Sequence, residues 1–446
     1  MAQWRIDSHE YKQPHNVTLF DTVMIADQFG NLVGGANPSG VAVDAFGRAR
    51  MSTPLTLFDS SHRYRDNNLW STSNTAGTTY AHSTNEGLIN LNLPTTANAE
   101  IIRESTKLCS YQPGKSLFVL NTFVPNQPKV NLRQRIGYYG EQNGIYFEID
   151  GTTAYFVERS YVTGALQETR VAQADWNIDN LLGAAVNLPG QVGPCPSKIQ
   201  LDLSKAQIMW MDIEWLGLGT VRCGFVIDGK LVHCHSFHHA NLITSTYITT
   251  ASLPLRYEIK NTGTTSSNST LKQVCSSVVS EGGYELRGLQ QAASVPIIAP
   301  VDLPTAGTYY NIISIRLKTS PNRLDAIVIL TALSVLGITN NVNYNWQVRA
   351  SGTSAGTTWV DAGVDSAIEY KIGGGAYTGG RILASGYTSG SNQGSTSVDI
   401  LKEALFKFQL ERNGLTGTPF ELSLVAAAGT DGGDIFGSMD WEEVSR

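Results

Sequence analysis

Ile208-Met-Trp-Met-Asp-Ile-Glu-Trp-Leu-Gly-Leu-Gly-Thr-Val-Arg-Cys-Gly-Phe-Val-Ile-Asp-Gly-Lys-Leu-Val-His-Cys-His-Ser-Phe237 is the stretch that decides the fold. It reads as a buried β-meander. Trp210, Asp212 and Glu214 recur at a spacing of two, which puts their side chains on one face of a strand. Ile227-Asp-Gly-Lys230 is a hairpin signal, because an Asp-Gly pair tolerates the positive φ angles of a tight turn.

The same pattern extends outward in both directions. Leu88-Ile-Asn-Leu-Asn-Leu93, Ser116-Leu-Phe-Val-Leu-Asn-Thr-Phe123 and Ile145-Tyr-Phe-Glu-Ile149 alternate with period two. Asp150-Gly151 with Thr152 reads as a turn into Thr153-Ala-Tyr-Phe-Val-Glu-Arg-Ser-Tyr161. Residues 1–65 read as an irregular arm or docking segment of short apolar pieces between Gly-Gly, Asn-Pro and Ser-Gly turns. Residues 66–290 read as a large sandwich of the jelly-roll or concanavalin-like kind. Residues 291–300, with Val-Pro-Ile-Ile-Ala-Pro, read as a linker. Residues 301–446 read as a second sandwich, starting at Tyr309-Tyr-Asn-Ile-Ile-Ser-Ile-Arg-Leu317. Ala326 to Leu336 has the length of a helix, but its β-branched residues and the Gly337 stop predict a buried strand. The Gly/Ser/Thr-rich stretches Ser351–Thr358 and Ser385–Ser397 read as long loops. The expected fold is therefore all-β: two antiparallel sandwiches in tandem behind an N-terminal arm. No short internal repeat points to a solenoid or propeller.

Composition narrows the function. Charged residues make up 16% of the 446, against a usual share of about 25%. Such a surface suits turns, strands and a subunit that packs against others. The net charge of -6 comes with no basic block, which excludes a nucleic-acid footprint. Five cysteines without a Cys-x-x-Cys pair fit assembly in a reducing cytosol. Met1-Ala-Gln-Trp-Arg-Ile-Asp7 lacks an apolar signal region. Leu324–Leu336 contains Asp325 and is too short to span a bilayer. The expectation is a chain made in a cytoplasm, without membrane insertion, that reaches the outside by lysis or within a particle.

Two places invite chemistry. Asp212 and Glu214 share a strand face with Trp210, and some concanavalin-like glycosidases carry Glu-x-Asp-x-Glu or Glu-x-Asp-x-x-Glu on such a strand. Two glutamates there act as nucleophile and acid/base, about 5 Å apart. Here Trp210 stands where the first glutamate would be, so no catalytic residue is assigned. The alternatives are a structural pair, tied to the backbone or to an arginine such as Arg222, and a glycan-binding surface. Trp210, Asp212, Glu214 and Trp215 would contribute to that surface, with Trp359 and Tyr377 in the second unit. The other place is His233-Cys-His-Ser-Phe-His-His239. His233 and His235 would share a strand face, with His238 and His239 around the next bend. Imidazoles and thiolates bind zinc, yet the spacing matches no standard finger, so interstrand hydrogen bonding or a subunit contact is the expected role. Lys371-Ile-Gly-Gly-Gly-Ala-Tyr-Thr-Gly-Gly380 lacks phosphate-loop spacing. Neither a metal nor a cofactor is expected.

Several blocks resemble a recurring family of structural proteins in the particles of tailed bacteriophages, as in phages of marine bacteria and cyanobacteria. They are the meander above, Val43-Asp-Ala-Phe-Gly-Arg-Ala-Arg50 with Leu55-Thr-Leu-Phe-Asp-Ser60, Tyr111-Gln-Pro-Gly-Lys-Ser116, Leu132-Arg-Gln-Arg-Ile-Gly-Tyr138, Arg170-Val-Ala-Gln-Ala-Asp-Trp176, Ser252-Leu-Pro-Leu-Arg-Tyr-Glu-Ile259 and Val279-Ser-Glu-Gly-Gly-Tyr284. The resemblance implies a non-enzymatic virion component of tail, baseplate or fibre type. Its partners would be other copies of itself, a trimer first among them, other virion proteins and a host-surface glycan. The alternatives are a capsid decoration or head-fibre protein and a glycan-cleaving enzyme on a concanavalin-like scaffold.

Overall fold

The computed structural model describes residues 53–183, 194–356, 358–390 and 408–445, together with three short strands outside those ranges. The chain divides into Met1–Ser52 and Thr53–Arg446. In the first unit β1 (Ile25–Ala26) pairs antiparallel with β2 (Leu32–Val33). The rest of the expected arm up to residue 52 lies outside the described residues.

The second unit begins with β3 (Leu55–Ser61), β4 (Trp70–Asn74), β5 (Thr79–Ser83), β6 (Leu88–Leu93) and β7 (Glu100–Ser105). Next come β8 (Leu117–Val124), β9 (Leu132–Tyr139), β10 (Gly144–Asp150), β11 (Thr153–Ser160) and β12 (Gln167–Ala172). β13 (Gln207–Ile213), β14 (Val221–Ile227), β15 (Lys230–Phe237), β16 (Leu255–Asn261) and β17 (Ser269–Ser280) complete the large sandwich. One sheet runs β12-β11-β10-β9-β16-β7-β4. The other runs β15-β14-β13-β8-β17-β6-β5, with β3 also on β17.

Both Asp-Gly signals make the turns they imply. β10 closes at Asp150 and β11 opens at Thr153, with Gly151 at φ +61°. Between β14 and β15, Asp228 and Gly229 have φ 51° and 74°, the two positive values of a type I′ turn. Alternate residues then face inward. Phe147, Phe156, Trp176 and Phe225 meet between the sheets, Phe147 and Phe225 edge to face at 5.3 Å between ring centroids. Burying each such side chain stabilises the fold by about 1.5–3 kcal/mol.

β3 lies inside the segment read as an arm, yet it is a strand of this sandwich. β17 is twelve residues long, and β6 covers only Ser269–Gln273 on one side of it. β3 takes the rest of that side, Cys275–Ser280.

The second sandwich contains β18 (Leu289–Ser294), β19 (Val301–Leu303), β20 (Tyr310–Leu317), β21 (Ile327–Gly337) and β22 (Val342–Ser354). Then follow β23 (Val360–Asp361), β24 (Ile368–Ile372), β25 (Tyr377–Gly390) and β26 (Ser397–Ile400). Last are β27 (Arg412–Asn413), β28 (Thr418–Pro419), β29 (Leu422–Ala428) and β30 (Gly433–Ser445). A five-stranded sheet runs β18-β30-β21-β26 with β19 on β30, and a six-stranded sheet runs β23-β24-β20-β29-β22-β25. Tyr344, Ile313, Leu424 and Trp441 are buried between them. β18 falls partly in the stretch read as a linker. Its backbone pairs along Ser438–Glu443 of β30. β21 is the strand that its β-branched content implies. The loop expected at Ser385–Ser397 is strand as far as Gly390.

The fold is all-β. Among the described residues the helical positions are a 3-10 turn at Gln173–Asp175 and the 3-10 residue Phe408, and no helix is long and apolar enough to cross a membrane. Ile327 and Ile329 of β21 join the core of the large sandwich. Gln409 Nε2 donates to the Leu108 carbonyl at 2.8 Å, and Arg412 Nη1 to Glu104 Oε1 at 2.7 Å.

Candidate functional site

The outer face of the eight-stranded sheet carries the carboxylate pair. On β13, Met209, Met211 and Ile213 point into the core, so Trp210, Asp212 and, just past the strand, Glu214 point away from it. Register places Asp212 between Arg222 on β14 and Phe118 on β8. Arg222 Nη1 donates to Asp212 Oδ2 at 2.8 Å and to Glu214 Oε1 at 3.1 Å. One guanidinium nitrogen therefore ties both carboxylates. Burial pushes the Asp212 carboxyl up to about 6, against the pull of Arg222 and with the repulsion of Glu214. Its Oδ1 has no hydrogen-bond partner among the described residues.

Trp210 is 5% exposed. Its ring stacks on Phe118 at 6.0 Å, and its Nε1 donates to the Phe225 carbonyl at 3.3 Å. Gly224 makes room for it, since a Cβ there would lie 2.9 Å from the indole and 2.0 Å from the Val232 carbonyl oxygen. Trp215 is half-buried, with its ring edge to face with Tyr111 at 5.8 Å. Trp359 and Tyr377 lie on the second sandwich and are not brought to this face. The Trp359 ring is flanked by the Arg316 guanidinium at 4.1 Å and the Lys371 ammonium at 4.7 Å. Tyr377 is 6% exposed, packed over Gly352. The stacking faces of Trp210 and Tyr377 are thus taken up by protein.

The histidines are placed differently from the period-two reading. A bulge at Cys234 sets His233 opposite Gly224 but His235 opposite Cys223, so the two side chains fall on opposite faces of β15. His233 Nε2 lies 2.9 Å from Ser236 Oγ. His235 Nδ1 accepts from the Asn177 backbone at 3.3 Å, and burial lowers its pKa to about 4, with His233 and His238 adding to the shift. His238 Nδ1 lies 3.3 Å from Thr220 Oγ1. His239 places Nδ1 2.6 Å from the Gly219 carbonyl oxygen and Nε2 2.7 Å from Glu158 Oε2. Both contacts need a donated proton, which is the imidazolium form. Burial opposes that charge, but the hydrogen bond and charge of Glu158 outweigh it and raise the pKa. Among the described residues no group of three or more His, Cys, Asp or Glu is placed to hold a metal.

The sequence reading missed a second polar array, on the outer face of the seven-stranded sheet. Arg135 Nε donates to Glu148 Oε2 at 2.5 Å, Arg159 Nη2 to Glu168 Oε1 at 2.7 Å, and Arg170 bonds both Glu148 and Asp150. Arg159 also lies over the rings of Tyr139 and Tyr146. Its signal was the alternation of charge at Arg133/Arg135 and at Arg256/Glu258/Lys260, which looks like an ordinary solvent face until the strands are paired.

No protein-family model matches the chain, and no curated protein sequence matches it. Among solved structures, the Bacillus licheniformis β-glucanase is similar over 50% of this chain and 96% of its own, at 11% identity and a TM-score of 0.32. Peanut lectin is similar over 51% and 98%, at 10% identity and a TM-score of 0.27. A carbohydrate esterase of the Shiga toxin-encoding bacteriophage phi24B is similar over 51% and 99%, at 9% identity and a TM-score of 0.30.

Proposed function

We propose that this chain is a non-enzymatic structural subunit of a tailed-bacteriophage particle, of tail, baseplate or fibre type, assembling with further copies of itself. The observation that carries the non-enzymatic part of the reading is the use made of Asp212 and Glu214. One guanidinium holds both, and a buried tryptophan fills the third place on the strand. The position where this scaffold would keep a hydrolytic pair serves as a structural tie. A retaining mechanism needs a free nucleophile and a free acid/base about 5 Å apart; Trp210 stands in the place of the first, and Arg222 engages Glu214 in the place of the second. The sequence blocks between residues 43 and 284 that resemble virion proteins support the same reading, as does the low share of charge.

The test is gold labelling of intact particles with antibodies raised against residues 301–446. Label on the tail or its tip is the expected result. Label over the head would make the chain a decoration or head-fibre protein, and particles without label would overturn the virion reading. Glycan hydrolysis by the purified chain that disappears in Asp212→Asn would overturn its non-enzymatic part.

A further inference from the structure

The six-stranded sheet of the second sandwich ends on β25, and among the described residues no strand pairs with its outer edge. A bulge at Leu383 divides this strand. Beyond it, Ala384–Gly390 runs in unbroken register with Val342–Val348 of β22. At a rise of ~3.4 Å per residue, that is about 24 Å of open backbone. Half of its N–H and C=O groups point outward and need a partner or water.

Edge strands are ordinarily guarded by charge, proline or shortness. β12, an edge of the seven-stranded sheet, carries Glu168 and Arg170. β23, the opposite edge of the same six-stranded sheet, is two residues long. Ala384-Ser-Gly-Tyr-Thr-Ser-Gly390 has neither a charge nor a proline. Its inner face is seated, because Gly386 lies against Trp346, where a Cβ would come within 2.4 Å of the ring. Its outer face is uncovered: Ser385 and Ser389 are exposed, and Tyr387 is 80% exposed. This face is also tied down by hydrogen bonds. Asn345, opposite Tyr387, donates from Nδ2 to the Gly386 carbonyl at 3.0 Å and accepts from Tyr309 Oη at 2.5 Å.

We propose that Ala384–Gly390 pairs antiparallel with the same segment of a second copy of this chain, about a two-fold axis at Tyr387, so that the two six-stranded sheets become one. Self-pairing satisfies the edge without any other protein. About that axis Ser385 meets Ser389, Gly386 meets Thr388 and Ala384 meets Gly390. These three facing pairs are small and every facing residue is uncharged, so no like charges meet and the strands approach to the usual ~4.8 Å. Only Tyr387 is large, and it meets its own mate on the open outer face. A two-fold contact here differs from the trimer that the virion resemblance implies. The inference deepens the assembly reading in that copies of the chain must meet, but it does not depend on their belonging to a phage particle.

Light scattering on the purified full chain, after size-exclusion chromatography over a range of concentrations, reads the outcome. The expected mass is twice the chain's 48.3 kDa or an even multiple of it. Tyr387→Lys combined with Ser389→Lys places cations on both sides of the axis and should halve that mass with an unchanged circular dichroism spectrum. A second variant, Ser385→Cys with Ser389→Cys, should give an oxidant-induced covalent dimer beyond the background of exposed Cys275. A monomeric or odd-numbered wild type, a lysine variant that keeps the wild-type mass, or cysteines that fail to cross-link would each overturn the pairing. Unlabelled particles would sink the virion reading and leave these results standing.

Discussion

Arg412 and Glu104 stand 308 residues apart in sequence and 2.7 Å apart in space, one from each sandwich. Around them, Glu411 accepts from Arg381 at 2.7 Å, and Arg256 lies 3.6 Å from Glu104. Both members of the central pair are more than nine-tenths buried. Removing one partner of a buried pair typically costs about 3–5 kcal/mol, and less here because Arg256 still faces Glu104. Arg412→Ala is therefore expected to lower the urea midpoint of the whole chain and to separate the unfolding of the two sandwiches into distinct transitions. A midpoint and a single transition like those of the wild type would show that the shared apolar contacts of Ile327 and Ile329 hold the sandwiches together without it.

Asp212 gives a pH dependence of the opposite sign to an ordinary salt-bridged carboxylate. Its folded value, about 6, lies above the usual value of 3.8. Between roughly those two values the unfolded chain has released the proton while the folded chain keeps it, so stability falls as pH rises across that window. Asp212→Asn removes this slope. Melting temperatures measured from pH 4 to pH 7 should decline less steeply for the variant, which should lose no stability at pH 7. A variant that is much less stable at pH 7 would mean that the charged pair with Arg222 outweighs the burial of the carboxylate.

The meander and its turns were legible because period two and Asp-Gly are local signals, and Ile327–Gly337 was legible through its β-branched residues. Three things were not. Leu55–Ser61 looked like arm because what makes it a strand is the unpaired half of β17, more than two hundred residues away. Ser385–Gly390 looked like loop because its small residues answer to the Trp346 ring and not to any pattern of their own. His233 and His235 looked like neighbours on one face because a bulge shifts register by one residue and leaves no mark in composition. The tie of Asp212 to Arg222 was foreseeable, since a ten-residue separation across a hairpin puts the two opposite each other.

Gly224 tests why Trp210 is buried. An added Cβ would stand 2.0 Å from the Val232 carbonyl oxygen, which is backbone and cannot rotate away, and 2.9 Å from the indole. Gly224→Ala should destabilise the chain by about 1–3 kcal/mol, the usual cost of overpacking. It should also disturb the stack of Trp210 on Phe118. Chemical denaturation followed by tryptophan fluorescence reads both effects. A native emission spectrum and an unchanged midpoint would mean that β14 and β15 separate easily, and that the indole is less tightly held than its burial indicates.

His239 has the clearest electrostatic role of the histidines. It stacks on Tyr247 at 3.9 Å between ring centroids, nearly parallel, and bridges Glu158 on β11 to the carbonyl of Gly219 in the β13–β14 loop. Its own carbonyl accepts from the backbones of Leu242 and Ile243. The folded pKa is raised above 6.5. The stabilisation is then fully present below the unfolded value and is lost as pH rises through the folded one. An NMR titration should place the His239 transition above that of an exposed histidine, and hydrogen exchange in residues 214–220 and 239–247 should quicken together as the ring deprotonates. His239→Gln carries both its donors on one nitrogen and cannot reach Gly219 and Glu158 from opposite sides as the ring does, so it should exchange quickly at pH 6 as well as at pH 8. If exchange in the two loops is slow and independent of pH in the wild type, the bridge does not hold them.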